Sequence, residues 1–264
     1  MAEAMIKGLT SSGIIAADNI YVTNARDKAK LLGMQQRYQV QPTDIQTGCR
    51  QAQVIILAVK PAAIVPVCQE IAPLLTAQHT VISVAAGVTT LMIEQALQAE
   101  IPVVRAMPNT SSAIGRSATG ICAGAYATEA TMDIAETIFA TTGNVVVVDE
   151  RQMDAVTAIS GSGPAYIYYL IEGMEQAAIR LGLSADDARK LVLQTVSGAV
   201  QMVIDTAEEP AELRRKVTSP NGTTEAGLRY LEQHDFHGLL EKMASKAASR
   251  AEEMRKEIEQ AYEL

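Results

Sequence analysis

The first half of the chain alternates short apolar runs with amphipathic stretches. The runs at 53–59, 80–86 and 144–149 are almost continuously apolar, which is typical of strands buried on both faces of a parallel sheet. Strands are predicted at 20–23, 53–59, 80–86, 101–107 and 144–149, and helices between them at 26–36, 61–75, 89–99 and 129–141. This alternation predicts an α/β fold with a doubly wound, Rossmann-type sheet over residues 1–150.

The second half shows no strand pattern and predicts an all-α domain over residues 151–264. The predicted helices cover 150–159, 163–182, 184–206, 210–216, 222–233 and 236–262. The helix at 184–206 is apolar over most of its length, which is more than a surface helix needs. Such a helix is buried either inside a bundle or between two subunits, and we favour a homodimer.

A helix is also predicted at 1–12, because Met1, Met5, Ile6 and Leu9 fall at helical spacing. In a dinucleotide-binding unit, a strand and a glycine-rich turn come before the first helix, and the glycines let the backbone approach the pyrophosphate. We therefore expect a strand and a G-x-G-x-x-G turn upstream of Met1, so that the first strand of the domain is absent from this sequence. A start assigned to an internal methionine and a truncated copy would both explain such a sequence.

Composition argues against several kinds of partner. The formal net charge is −8 with no basic block, which argues against nucleic acid, and no apolar run approaches the length of a membrane span. Cys49, Cys68 and Cys122 form no C-x-x-C pair, as expected of buried thiols in a reducing, cytoplasmic compartment. The three histidines have no partners at metal-ligand spacing, so no metal site is predicted.

Residues that suit a dinucleotide follow the first predicted strand. Thr23 and Asn24 stand where an acidic residue usually holds the ribose of NAD, and Arg26 follows them. Neutral acceptors beside an arginine suit a 2′-phosphate, which favours NADPH as the cofactor while NADH stays possible. The alternative is a solvated turn with a helix-capping asparagine.

The ends of three further predicted strands also carry residues that suit a bound cofactor. The carboxyl ends of parallel strands meet at one edge of the sheet, so these residues are expected to lie along that edge. Lys60 follows the second predicted strand, and Pro61 suits the first position of a helix. Ala86 and Gly87 are small enough to let a flat ring lie close to the third strand. Asn109 follows the fourth strand and can hold an amide.

Two glycine-rich segments open helices in the second half. ISGSGPAY (159–166) is glycine-rich and enters a helix at Pro164, and for this segment alone we favour tight packing of a helix start capped by Ser162 over a ligand site. VTSPNGTTEAGL (217–228) places hydroxyls and free backbone N–H groups at a positive helix end, which suits a carboxylate ligand with a hydroxyl donor beside it. The residues at that helix end are Ser219, Gly222, Thr223 and Thr224. A plain capped helix is the alternative.

The motifs ILAVKP, SVAAGV, RAMPNT, ISGSGPAY and VTSPNGTTEAGL stand in the order and approximate spacing of pyrroline-5-carboxylate reductase, which the whole chain resembles. The resemblance implies a Rossmann domain and a helical domain that interlocks in a dimer, with dimers often joined into rings. It also implies reduction of the C=N bond of 1-pyrroline-5-carboxylate by NADPH or NADH, which is the last step of L-proline biosynthesis.

The resemblance assigns roles to individual residues. Thr23, Asn24 and Arg26 would line the adenosine ribose and its phosphate. Further cofactor contacts would come from Ala58, Val59, Lys60, Pro61, Ala86, Gly87 and Asn109. Substrate-binding residues would be Ser219, Gly222 and Thr223 at the carboxylate and the catalytic Thr224 at the ring nitrogen.

The chain departs from the family pattern at two positions. Asn221 stands where the turn commonly has glycine, and because asparagine tolerates the left-handed region we expect the turn to persist. Ile45 stands near a position where asparagine often contacts the cofactor, so that contact is in doubt.

Two other interpretations stay open. A β-hydroxyacid dehydrogenase also joins a Rossmann domain to a helical one, but it needs a catalytic K-x-x-x-N, and Lys190 is followed by Gln194. A truncated, non-catalytic homologue would keep the dimerising half without reductase activity.

Overall fold

The computed structural model describes residues 1–24 and 27–262. Contacts divide the chain into two units, which we call the sheet unit and the helical unit. The sheet unit comprises Met1–Pro164 together with the C-terminal residues from Ser245, and the helical unit is Ala165–Ala244. The predicted domain boundary at residue 150 stays a prediction.

Five strands form the central sheet of the sheet unit, in the order β3-β4-β5-β6-β7. They are β3 (Val54–Leu57), β4 (Thr80–Ser83), β5 (Val103–Met107), β6 (Ser117–Ala123) and β7 (Gly143–Val147). All neighbours are parallel except β5 and β6. Four of these strands lie within or overlap predicted ones, whereas β6 was not predicted.

Helices cover both faces of this sheet, which confirms the predicted doubly wound fold. On one face, Ile64, Val65 and Met92 belong to a buried core with side chains of the sheet. On the other face, Met5 and Phe139 pack with a second set of strand residues.

The helices of the sheet unit begin close to their predicted positions, except for α3, which was not predicted. They are α1 (Ala2–Ser12), α2 (Lys28–Tyr38), α3 (Ile45–Gln51), α4 (Ile64–Ile71), α5 (Thr90–Leu97), α6 (Glu129–Ala140) and α7 (Met153–Val156). A π-helical segment, Thr157–Gly161, follows α7. In the part of the chain that the structure describes, no helix is long and apolar enough to cross a membrane.

A second, two-stranded parallel sheet pairs β1 (Tyr21–Val22) with β2 (Gln41–Pro42). Helix α1 packs against side chains of both sheets, because Met5 joins the core of the central sheet and Ile6 packs with Val40 near β2. Within residues 1–24 and 27–262, β1 pairs only with β2, and β3 pairs only with β4. The strand expected upstream of Met1 stays an expectation.

The helical unit consists of four helices and the beginning of a fifth, as predicted for this half. They are α8 (Gly163–Arg180), α9 (Ala185–Thr206), α10 (Pro210–Lys216), α11 (Thr223–Gln233) and α12 (Phe236–Tyr262). Ser184 caps α9 by accepting from the Asp187 N–H at 3.1 Å. Ala188 and Val192 are the only buried residues between 165 and 244, so these helices enclose little core of their own.

Candidate active site

The turn after β3 presents its residues to solvent at the carboxyl end of the strand. Ala58, Val59 and Lys60 are exposed. Pro61 begins a short 3₁₀ helix whose N-cap is Lys60, which is the position where the missing N–H of proline costs nothing. The exposed turn at the carboxyl edge of a parallel strand fits a dinucleotide site, and the cofactor contacts of these residues stay predictions.

The turn after β4 is covered by the last helix of the chain. Gly87 has a φ of +74°, and a Cβ placed there would lie 3.4 Å from the backbone nitrogen of Arg255 and from Cβ of Met254. The glycine therefore permits both the left-handed backbone and the close approach of α12. Ala86 is half-buried beside it, and a cofactor contact at either residue stays a prediction.

The side chain of Asn109 is held in place by both of its polar atoms. Its amide nitrogen donates to the Ser160 carbonyl at 3.1 Å, and its amide oxygen accepts from the Ser111 N–H at 3.0 Å. The bond from Asn109 to Ser160 joins the MPNT turn to the ISGSG segment. The sequence alone does not indicate that these two motifs are in contact. One amide N–H of Asn109 remains free of these two bonds, so the amide can still donate to a ligand.

Of the predicted ribose and phosphate residues, Thr23 and Asn24 are exposed at the end of β1. The Asn24 side chain accepts from the Asp27 N–H at 3.0 Å. Asp27, rather than Asn24, caps α2 by accepting from the Lys30 N–H at 2.8 Å. Arg26 lies outside the described residues.

The predicted substrate residues lie together at the start of α11. Gly222 is the N-cap, and no described side chain caps this helix. The Gly222 N–H donates to the Ser219 carbonyl at 3.0 Å. A Cβ at Gly222 would stand 2.5 Å from the Ser219 hydroxyl oxygen, so glycine leaves room for that hydroxyl near the helix end.

Asn221 adopts a left-handed backbone, with a φ of +58°, which confirms the expectation that asparagine preserves this turn. Its N–H donates to the Glu225 carboxylate at 2.8 Å. Glu225, which sequence reasoning missed, lies in the first turn of α11 and also approaches Arg229 at 3.6 Å. Ile45, the other departure, packs against the buried core of the central sheet.

A buried ion pair that sequence reasoning also missed lies beside the MPNT turn. Arg105 on β5 is 1% exposed, and its guanidinium contacts the Glu150 carboxylate at 2.5 Å. The Thr90 N–H and hydroxyl donate to the other oxygen of Glu150 at 3.0 and 2.8 Å. A charged residue in the otherwise apolar run IPVVRAM was the available signal, because a buried charge needs a partner.

Burial and these neighbours shift the pKa values of Glu150 and of the nearby Cys122. Burial raises the pKa of Glu150, but the Arg105 charge and the Thr90 hydrogen bonds lower it by more, so the net shift is downward. Burial and the Glu150 charge raise the pKa of Cys122 to about 12. Cys49, Cys68 and Cys122 are all free and buried, as predicted.

The central sheet, with helices on both faces and exposed turns at its strand ends, places the chain in the class of Rossmann-type proteins, which bind ligands at turns of this kind. Residues 1–87 match the family model described as NADP oxidoreductase, coenzyme F420-dependent. Residues 150–254 match the one described as pyrroline-5-carboxylate reductase dimerisation.

The chain belongs to the pyrroline-5-carboxylate reductase family. It is 40% identical over 259 residues to pyrroline-5-carboxylate reductase 2 of Bacillus subtilis, an alignment that covers 98% of this chain and 93% of that protein. A pyrroline-5-carboxylate reductase structure from Coxiella burnetii matches with a TM-score of 0.91 and 39% identity, covering 96% of this chain and 94% of that one. The NADP-bound Plasmodium falciparum pyrroline carboxylate reductase matches with a TM-score of 0.84 and 28% identity, covering 96% and 93%.

Proposed function

We propose that this protein reduces 1-pyrroline-5-carboxylate to L-proline with NADPH, and with NADH as a second choice. The start of α11 carries the proposal, because an N-terminus without a side-chain cap stands beside hydroxyl groups in a motif characteristic of the family. The names of the relatives and the NADP bound to the Plasmodium falciparum structure support the reaction and the cofactor.

The substrate carboxylate would bind at the N-terminus of α11. Backbone N–H groups there point out of the helix, and the helix dipole favours a negative charge. Ser219 and Thr223 would add hydroxyl donors, while Gly222 leaves the space that a side chain would fill. The Glu225 carboxylate opposes an anion here, but its bond to the Asn221 N–H and its approach to Arg229 partly offset that charge.

The cofactor would lie along the carboxyl edge of the central sheet. When bound, the reduced nicotinamide supplies a hydride to the imine carbon of the substrate. Ala58, Val59 and Lys60 would line it after β3, and Asn109, which is held in place after β5, would offer an amide contact. The 2′-phosphate of NADPH would pair with Arg26 next to Thr23.

Thr224 would act at the ring nitrogen. Reduction turns the imine nitrogen into an amine, which needs a proton, and a protonated imine is already activated toward hydride. The Thr224 hydroxyl would therefore orient the ring first and relay a proton from water second. The predicted site holds no histidine and no pair of buried carboxylates for this task.

The assembly would be a homodimer formed through the helical unit, with dimers able to join into a ring. Tyr169 on α8 and Leu181 after it are 79% and 87% exposed, and α9 exposes Leu191, Val200 and Ile204. Apolar surface of this extent marks a protein interface. The free, buried cysteines suit the reducing cytoplasm, which we propose as the location.

Steady-state kinetics of Thr224→Ala and Thr224→Ser test the proposal. Losing one hydrogen bond in the transition state predicts a fall in kcat of about tenfold or more for the alanine variant. The serine variant should recover most of the rate, and the KM for NADPH should stay within about twofold in both. The matched control is Thr206→Ala, an exposed threonine at the end of α9. Equal turnover in Thr224→Ala and the unmodified chain would remove Thr224 from the mechanism.

A further inference from the structure

The C-terminal end of α12 contacts the turn after β3 directly. The Tyr262 hydroxyl donates to the Ala62 carbonyl at 2.5 Å, across 200 residues of sequence. The Tyr262 ring also packs against the buried core of the central sheet. The last turn of α12 is therefore fixed to the backbone one residue beyond Pro61.

The same end of α12 covers the turn after β4. Gly87 lies against the backbone of Arg255 and the side chains of Met254 and Ile258. Ile258 joins the same buried core as Tyr262. One helical face thus reaches two consecutive strand-end turns.

A third contact joins α12 to the segment that holds Asn109. The Arg255 guanidinium lies 3.9 Å from the Asp154 carboxylate on α7 and 2.9 Å from Glu259. Helix α7 continues directly into the π-helical segment whose Ser160 carbonyl binds the Asn109 amide. Arg255 therefore connects α12 to the support of the MPNT turn.

We propose that the C-terminal end of α12, residues 254–262, is a positioning element that holds the two strand-end turns at 58–62 and 85–88 in their binding conformation. Tyr262 and Ile258 act through these turns and do not touch the reacting atoms. The consequence for a dinucleotide rests on the proposed function, in which the same turns hold the cofactor. Without α12, cofactor binding would have to order both turns, and this cost weakens affinity.

The first measurement is hydrogen exchange without cofactor in Tyr262→Phe and Ile258→Ala. Loss of one hydrogen bond or part of one packing contact predicts exchange about 2- to 10-fold faster at residues 58–63 and 84–88. The matched control is Glu257→Gln, because Glu257 lies on the exposed side of the same helix in an ion pair with Arg250. Light scattering on all three variants shows whether assembly is unchanged.

The second measurement is NADPH titration by fluorescence. Both variants should bind NADPH about 2- to 10-fold more weakly, with kcat and the KM for the substrate within about twofold of the unmodified chain. Unchanged hydrogen exchange in both turns overturns the proposal. If the unmodified chain binds NADPH, an unchanged Kd for NADPH in both variants overturns it as well. If the unmodified chain binds no NADPH, the proposed function fails, and the exchange rates alone decide whether α12 holds the turns.

Discussion

Replacing Glu150 by glutamine should destabilise the protein far more than any exposed charge replacement. Glutamine keeps the size of the side chain and can still accept from Thr90, so the variant removes mainly the charge facing Arg105. The Arg105 side chain is 2% exposed and that of Glu150 is 31% exposed. Nε and Nη2 of Arg105 are also buried without a hydrogen-bond partner in the described part of the chain.

The magnitude follows from leaving a buried guanidinium without its counter-ion. Such a change costs about 3–5 kcal/mol for a fully buried pair, and the partial exposure of Glu150 reduces this to about 2–4 kcal/mol. For a chain of this size, each kcal/mol lowers the Tm by about 2–4 °C. We therefore expect a Tm about 5–15 °C lower at neutral pH.

The effect should depend on pH in a defined direction. Because the native pKa of Glu150 lies below its ordinary value of 4.5, its contribution to stability is complete above pH 4.5. The contribution is lost as the pH falls through the lower, native pKa. The Tm difference between the unmodified chain and Glu150→Gln should therefore shrink in acid.

The assay is differential scanning calorimetry with Glu257→Gln as the control. Glu257 is 60% exposed and pairs with the 56% exposed Arg250, so its replacement should leave the Tm almost unchanged. A Tm for Glu150→Gln within about 2 °C of that control at neutral pH would refute the account of the buried pair.

Three further outcomes are expected. Tyr169→Glu places a charge on the exposed apolar surface of α8 and should shift the protein from dimer toward monomer in sedimentation velocity; an unchanged dimer would contradict that interface. Gly143→Ala should abolish soluble expression or lower the Tm by more than about 10 °C, because a Cβ there would lie 2.1 Å from the Ser117 carbonyl oxygen. Arg26→Ala should raise the KM for NADPH about tenfold with little change for NADH; equal changes for both cofactors would argue against a phosphate contact.

The sequence predicted those elements whose local pattern matches their environment. Strand β4 is buried at every position, and the mostly apolar run at 80–86 that contains it predicts a strand covered on both faces. Helix α10 begins with Pro210. A proline favours the first position of a helix, so this residue alone indicates where the helix starts. Such features depend on neighbours in sequence, so they can be predicted without coordinates.

Strand β6, which has polar residues in buried positions, escaped prediction. Strand β6 reads SATGICA, and its buried Ser117 and Thr119 are satisfied by a mutual hydroxyl contact at 3.1 Å. Polar residues of this kind normally indicate a loop. Their burial depends on tertiary hydrogen bonds, which a local pattern cannot reveal.

The candidate site likewise has parts that the local sequence predicts and parts that it does not. The turns at 58–61 and 219–224 were found from glycine, proline and hydroxyl residues close together in sequence. The pairing of Arg105 with Glu150 spans 45 residues, and that of Tyr262 with Ala62 spans 200. Neither contact leaves a periodic signal, because each forms only when separate elements pack together.

The most direct test of the proposed reaction follows the hydride itself. The protein is incubated with 1-pyrroline-5-carboxylate and NADPH that carries deuterium at both C4 positions, and the product is examined by mass spectrometry and NMR. The account predicts L-proline with a single deuterium at C5, formed in equal amount to the NADPH oxidised. Absence of proline, or proline without deuterium at C5, would contradict it.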